Sequence, residues 1–138
     1  MNNLYLVGST NYLLFPIILF AMNLRTVDIY QVYLAILLSV NVCLSFLFWI
    51  NPVKHSVIHL CDGFFAKLSV IVFSFYIFFM KKIDVFMKIY FAIMLIFASN
   101  CFYYSNHYSS IEYCTNEHVT YHSMFHMCIG LGSVVAFV

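Results

Sequence analysis

"IYQVYLAILLSVNVCLSFLFWI", residues 29–50, carries no charged side chain and runs straight into Asn51 and Pro52. The hydrocarbon core of a bilayer takes about 20 apolar residues per helix, so the stretch predicts a membrane-spanning helix. Pro52, with the restricted residue before it, predicts a stop or a sharp bend at its end. The same pattern recurs outward in both directions, predicting further spans at about 4–23, 63–80, 85–104 and 118–138. Pro16 inside the first is tolerable in a membrane helix. "KKID", residues 81–84, is so short a connection that spans three and four are expected to form an antiparallel hairpin. The expectation is an all-α integral membrane protein: one transmembrane helical domain over residues 1–138, with about five transmembrane helices.

Composition points the same way. The 138 residues are 64% hydrophobic, 20% aromatic and only 8% charged, which excludes an ordinary soluble domain. The apolar runs are continuous rather than alternating, so helices are expected in place of barrel strands. A net charge of +1 with scattered basic residues argues for no nucleic-acid partner. Five cysteines without a CxxC pair make neither a zinc ribbon nor a redox motif. "MNNLYLVGST" lacks a basic region ahead of its apolar run, so the first segment is expected to stay in the membrane as a span. Arg25, Lys81, Lys82 and Lys88 lie toward one face and Lys54 and Lys67 toward the other. Because cytoplasmic loops carry the basic excess, the N-terminus is predicted outside or lumenal and the C-terminus cytoplasmic. Five spans also place the second and fourth loops on one face.

All six histidines fall in or beside those two loops: His55 and His59 at one, His107, His118, His122 and His126 at the other. "HVTYHSMFHMC" spaces His118, His122 and His126 four apart, on one side of the last helix, with His126 roughly 12 Å deeper than His118. Two histidines at i and i+4 can offer ring nitrogens to one metal ion, and a third ligand must come from another helix. "HSVIHLCD", residues 55–62, supplies His59 and Asp62 on the same face. Three histidines and a water would make a zinc site with an open position, and Asp62 could bind the metal, orient a ligand or hold the attacking water. Asp62 is expected at the start of the third helix, where the dipole favours a carboxylate. The plainer reading makes the same residues helix caps and interfacial anchors. Ser39, Asn41, Ser45, Ser74, Ser99 and Asn100 are expected to bond neighbouring helices or their own backbone. Cys61 and Cys128 read as soft ligands or small buried residues, and a Cys101–Cys114 disulfide is open if that face is lumenal. Gly132 and Ala136 form a small-xxx-small pair suited to close packing within the chain.

"IHLCDG" followed by "YHSMFHMCIGLG" resembles the CREST group of membrane hydrolases, which comprises alkaline ceramidases, adiponectin receptors, post-GPI-attachment phospholipases and myomaker. The two patches cover about a quarter of the chain, which would be a short five-helix form of a seven-helix family. The resemblance implies an intramembrane zinc ion held by His59, His122 and His126, with Asp62 as the catalytic residue acting on the zinc-bound water. It implies hydrolysis of an amide or ester bond in a lipid drawn from the bilayer. A different class of function stands beside it: a non-enzymatic multi-pass protein of membrane remodelling, fusion or viral assembly, whose His/Asp cluster is structural. Haem held by His59 and a histidine of the last helix is a third reading. Whether the chain is an enzyme is left open between these.

Overall fold

The computed structural model describes residues 3–138, which form five helices and, among the described residues, no strand. The first, α1 (Asn3–Met22), contains a 3-10 turn at Asn11–Leu13. That turn precedes Pro16, which has no N–H to return to the Tyr12 carbonyl one turn back. Helix α2 (Ile29–Ile50) starts with a reciprocal capping box: Gln31 N–H donates to Asp28 Oδ1 at 2.8 Å, and Asp28 N–H to Gln31 Oε1 at 2.9 Å. It ends at Asn51, ahead of Pro52, as the sequence predicts.

Helix α3 (Val57–Met80) begins at Val57 rather than residue 63, because Ser56 caps it, and its last turn, Tyr76–Met80, widens to a π-helix. Helix α4 (Val85–Ile111) is capped by Asp84 and continues past residue 104, carrying Ser105 and His107 on its final turns. Helix α5 (Asn116–Ser133) is capped by Thr115 and tightens into a 3-10 turn at Val134–Ala136.

Four of these, α1 to α4, are long and apolar enough to cross a membrane. Helix α5 is 18 residues long but falls short in apolarity because it carries Glu117 and three histidines. It is instead enclosed by the others. Helix α4 packs along it on one side and α1 on the other, α1 also packs on α2, and α2 on α3. The helices therefore form an arc in the order α3, α2, α1, α5, α4.

The ends of that arc differ from the expected hairpin. Helices α3 and α4 run antiparallel out of the Lys81–Asp84 connection and touch at its base, where the Phe78 and Phe91 rings are 5.4 Å apart and Lys88 Nζ donates to the Phe78 carbonyl at 2.9 Å. They make little further contact. The chain's C-terminal turn occupies the base of the bundle: Val135 and Ala136 are buried, and the Phe137 ring lies 6.0 Å from Phe73 and 5.7 Å from Phe20. Its carbonyls accept from Gln31 Nε2 and Lys81 Nζ at Ala136, both at 2.8 Å, and from Asn23 Nδ2 at Phe137.

Close approach of α5 to α1 depends on a glycine. A Cβ at Gly130 would collide with the Tyr12 carbonyl, in the 3-10 turn ahead of Pro16. Gly132 lies against Met94 of α4, so the small-residue stripe serves packing inside the chain. Gly130→Ala is expected to lower stability by about 1–3 kcal/mol, read as a lower thermal midpoint in detergent, because backbone cannot yield as a flexible side chain would. Gly8→Ala, whose Cβ would meet nothing within 4 Å, should leave the midpoint nearly unchanged.

Candidate functional site: a histidine and aspartate cavity

The second and fourth loops meet at one end of the bundle: Lys54 Nζ donates to the Ser109 carbonyl at 2.9 Å and lies 5.5 Å from the centre of the Tyr113 ring. Both helices that leave this end start with the same device. Ser56 Oγ accepts from His59 N–H at 3.2 Å, and Thr115 Oγ1 from His118 N–H at 3.3 Å. The residue before each cap, His55 (φ 64°) or Cys114 (φ 62°), is left-handed, a conformation that costs a non-glycine residue roughly 1 kcal/mol. In return its N–H donates to the imidazole one turn on: His55 N–H to His59 Nδ1 at 3.0 Å, Cys114 N–H to His118 Nδ1 at 3.1 Å. This is a capping box with histidine in place of Glu or Gln, reaching one residue further back.

The caps settle which nitrogen carries the proton. A ring nitrogen that accepts from a backbone N–H has no proton of its own, so His59 and His118 are neutral with Nε2–H as the donor. His126 is the reverse. Ser9 Oγ donates to the Leu6 carbonyl at 3.0 Å and lies 3.0 Å from His126 Nδ1, so Nδ1–H donates to Ser9 and the Nε2 lone pair is free. His122 Nδ1 is 2.9 Å from Ser105 Oγ, and its ring centre is 4.8 Å from those of His126 and Trp49. Across from them, Ser45 Oγ donates to Asp62 Oδ1 at 2.7 Å, and Asn41 Nδ2 donates to Ser69 Oγ.

Ser45, His59, Asp62, His118, His122 and His126 all line one cavity of ≈ 420 Å³. A second, mainly apolar groove of ≈ 350 Å³ lies between the diverging α3 and α4 and shares Lys67, Val70, Phe102, Phe125 and Ile129 with it. The polar cavity therefore adjoins the apolar gap between α3 and α4.

The residues singled out in the sequence thus share a cavity without all taking the places expected of them. His122 and His126 are side by side. His59 is in the first turn of α3 rather than in the loop before it, and its cap commits Nδ1. Asp62 is in the second turn of α3, buried, and answers to Ser45 more directly than to the helix terminus. Among the described residues, no three His, Cys, Asp or Glu side chains are gathered as a preformed metal-ligand group. His107 stays on α4 against Tyr108. All five cysteines are free, and the Cys101 thiol is hydrogen-bonded with Cys128 rather than disulfide-linked to Cys114.

Ser9, Ser105 and Trp49 belong to the site and carried no signal of their own. Ser45 did carry one, since it shares a helical face with Asn41 four residues earlier. Comparison with known proteins finds no matching family model, no matching curated protein and no matching solved structure.

Ser45→Ala removes the hydroxyl donor to a buried carboxylate, which is expected to cost about 1–3 kcal/mol. Asp62→Asn made in the Ser45→Ala background should recover part of that loss, so a double-mutant cycle on detergent unfolding should return a coupling clearly different from zero.

Proposed function

We propose that the chain is an integral membrane protein with five spans, its N-terminus outside or lumenal, and that its cavity holds a zinc ion and hydrolyses an amide or ester bond of a lipid. The observation that carries this reading is the pairing of His122 with His126, each held through Nδ1 by a serine hydroxyl from another helix. Metal-binding histidines are commonly oriented this way, by a hydrogen bond at the ring nitrogen that does not bind. In this proposal His122 and His126 hold the ion, and Asp62 completes the set, two histidines and a carboxylate being an ordinary zinc combination. The alternative third ligand, His59, would first have to give up its bond to His55. Bound zinc supplies Lewis acidity and water of lowered pKa. The chain's own residues do the rest: Ser45 orients the Asp62 carboxylate, the surrounding Phe48 and Trp49 exclude bulk water, and the apolar groove gives an acyl chain a way in from the bilayer. The resemblance to the CREST hydrolases supports the same reading.

The second reading, a non-enzymatic membrane protein with a structural cluster, is favoured by one observation. Each bond joins two helices: His126 to Ser9 ties α5 to α1, His122 to Ser105 ties α5 to α4, and Asp62 to Ser45 ties α3 to α2. Metal content separates the two. Protein purified in detergent without chelators is expected to carry about one zinc per chain by mass spectrometry, lost in His122→Ala and His126→Ala but kept in His107→Ala. Folded wild-type protein free of metal would sink the hydrolase reading and leave the structural one.

A further inference from the structure

The end of the cavity nearest the loops holds hydrogen-bond donors for which the fold supplies no acceptor. Trp49 is 2% exposed, and its indole Nε1–H has no partner. The Tyr113 hydroxyl is equally enclosed and equally unpaired. Buried polar groups are nearly always satisfied, so two orphans in contact, with ring centres 6.4 Å apart, call for an explanation. Burial above all, then the neighbouring Cys114 and Asp62, pushes the Tyr113 pKa above the usual phenol value, so it remains an O–H donor. The Tyr113 ring also lies 5.1 Å from that of His118.

Two further donors come from the capping geometry, since His59 and His118 both carry their proton on Nε2. All four side chains line the same cavity, His59 and His118 from the first turns of α3 and α5, Trp49 from the last turn of α2 and Tyr113 from just beyond the end of α4. Lys54 stands against Tyr113 and Lys67 lines the cavity wall. Of the acidic groups at this end, Glu112 and Glu117 are exposed beside Tyr113 and His118, and Asp62, which lines the cavity, has Oδ1 occupied by Ser45. A carbonyl oxygen could meet at most two of these donors. A tetrahedral oxyanion has acceptors for all of them.

We propose that this end of the cavity binds a phosphate group through Trp49 Nε1, Tyr113 Oη and the Nε2 atoms of His59 and His118. The site does not depend on the zinc reading, because none of its donors needs a metal. It gives the otherwise costly left-handed residues His55 and Cys114 a task beyond capping, since they hold two imidazoles in the donor tautomer.

Trp49 is the chain's single tryptophan, so its fluorescence reports on this site directly. The protein is titrated in maltoside detergent with chelator present, which separates the result from any metal. The probes are inorganic phosphate, a short-chain phosphatidic acid, and a diacylglycerol with the same chains. The expected result is a saturable change in emission with phosphatidic acid and none with diacylglycerol. Tyr113→Phe, with an unaltered circular dichroism spectrum, should bind about tenfold more weakly. Saturation by inorganic phosphate as well would support the site and show that the lipid chains are dispensable; saturation by phosphatidic acid alone would support it as a headgroup site. No saturable response to either phosphate, an equal response to diacylglycerol, or unchanged affinity in Tyr113→Phe overturns the proposal.

Discussion

A polar group buried among apolar helices has no water to fall back on, and the bundle is organised around that constraint. Helix α5 is the least apolar of the five, and its buried histidines would be expensive there without partners. It is accommodated because α1 supplies Ser9 to His126 and α4 supplies Ser105 to His122. The same logic holds on the opposite wall, where Ser45 meets Asp62 and Ser69 meets Asn41. Such bonds are worth only about 1 kcal/mol each in a bilayer, but leaving either partner alone costs more. Helix order in the arc follows from which pairs must meet. Small residues then let them meet closely, most plainly at Gly130 under the Tyr12 carbonyl.

Long-range periodicity and apolar runs made the number of helices readable from the sequence, and HxxxH spacing made the shared face of His118, His122 and His126 readable. Helix bounds are less legible where polar residues sit inside helices. "HSVIHLCD" has the composition of a loop ahead of a helix starting near residue 63, whereas Ser56 caps a helix that runs through it. Ser105 and His107 likewise have the look of loop residues after 104 but continue α4. The partners of the histidines were invisible, because a lone serine on a distant helix has no pattern. Ser9 and Ser105 are recognisable only once tertiary structure brings them to an imidazole. Nor could the short "KKID" connection reveal that α3 and α4 diverge, since loop length constrains direction but not what packs between two helices.

The matched starts of α3 and α5 show how a local rule can shape distant chemistry. His55-Ser56-Val57-Ile58-His59 and Cys114-Thr115-Asn116-Glu117-His118 share only a hydroxyl residue and a histidine three positions later, yet they adopt one geometry. In both, the backbone decides the protonation pattern of an aromatic ring, and both rings contact the aromatic end of α2: His59 is stacked 4.7 Å from Phe48, and His118 lies 6.0 Å from Trp49. Deeper in the bundle, Ser9 gives His126 the opposite tautomer. Two chemically distinct layers, donors near the loops and a free lone pair below, thus arise from one residue type.

The bond between Ser9 and His126 also spans 117 positions of the chain. Helices α2, α3 and α4 all lie between the two partners in the chain, so this contact closes a loop that takes in most of the fold. Closing so long a loop costs entropy that only the assembled bundle repays, and the cost grows slowly with length. The tautomer of His126 is therefore a property of the whole bundle, whereas those of His59 and His118 are set within five residues of chain.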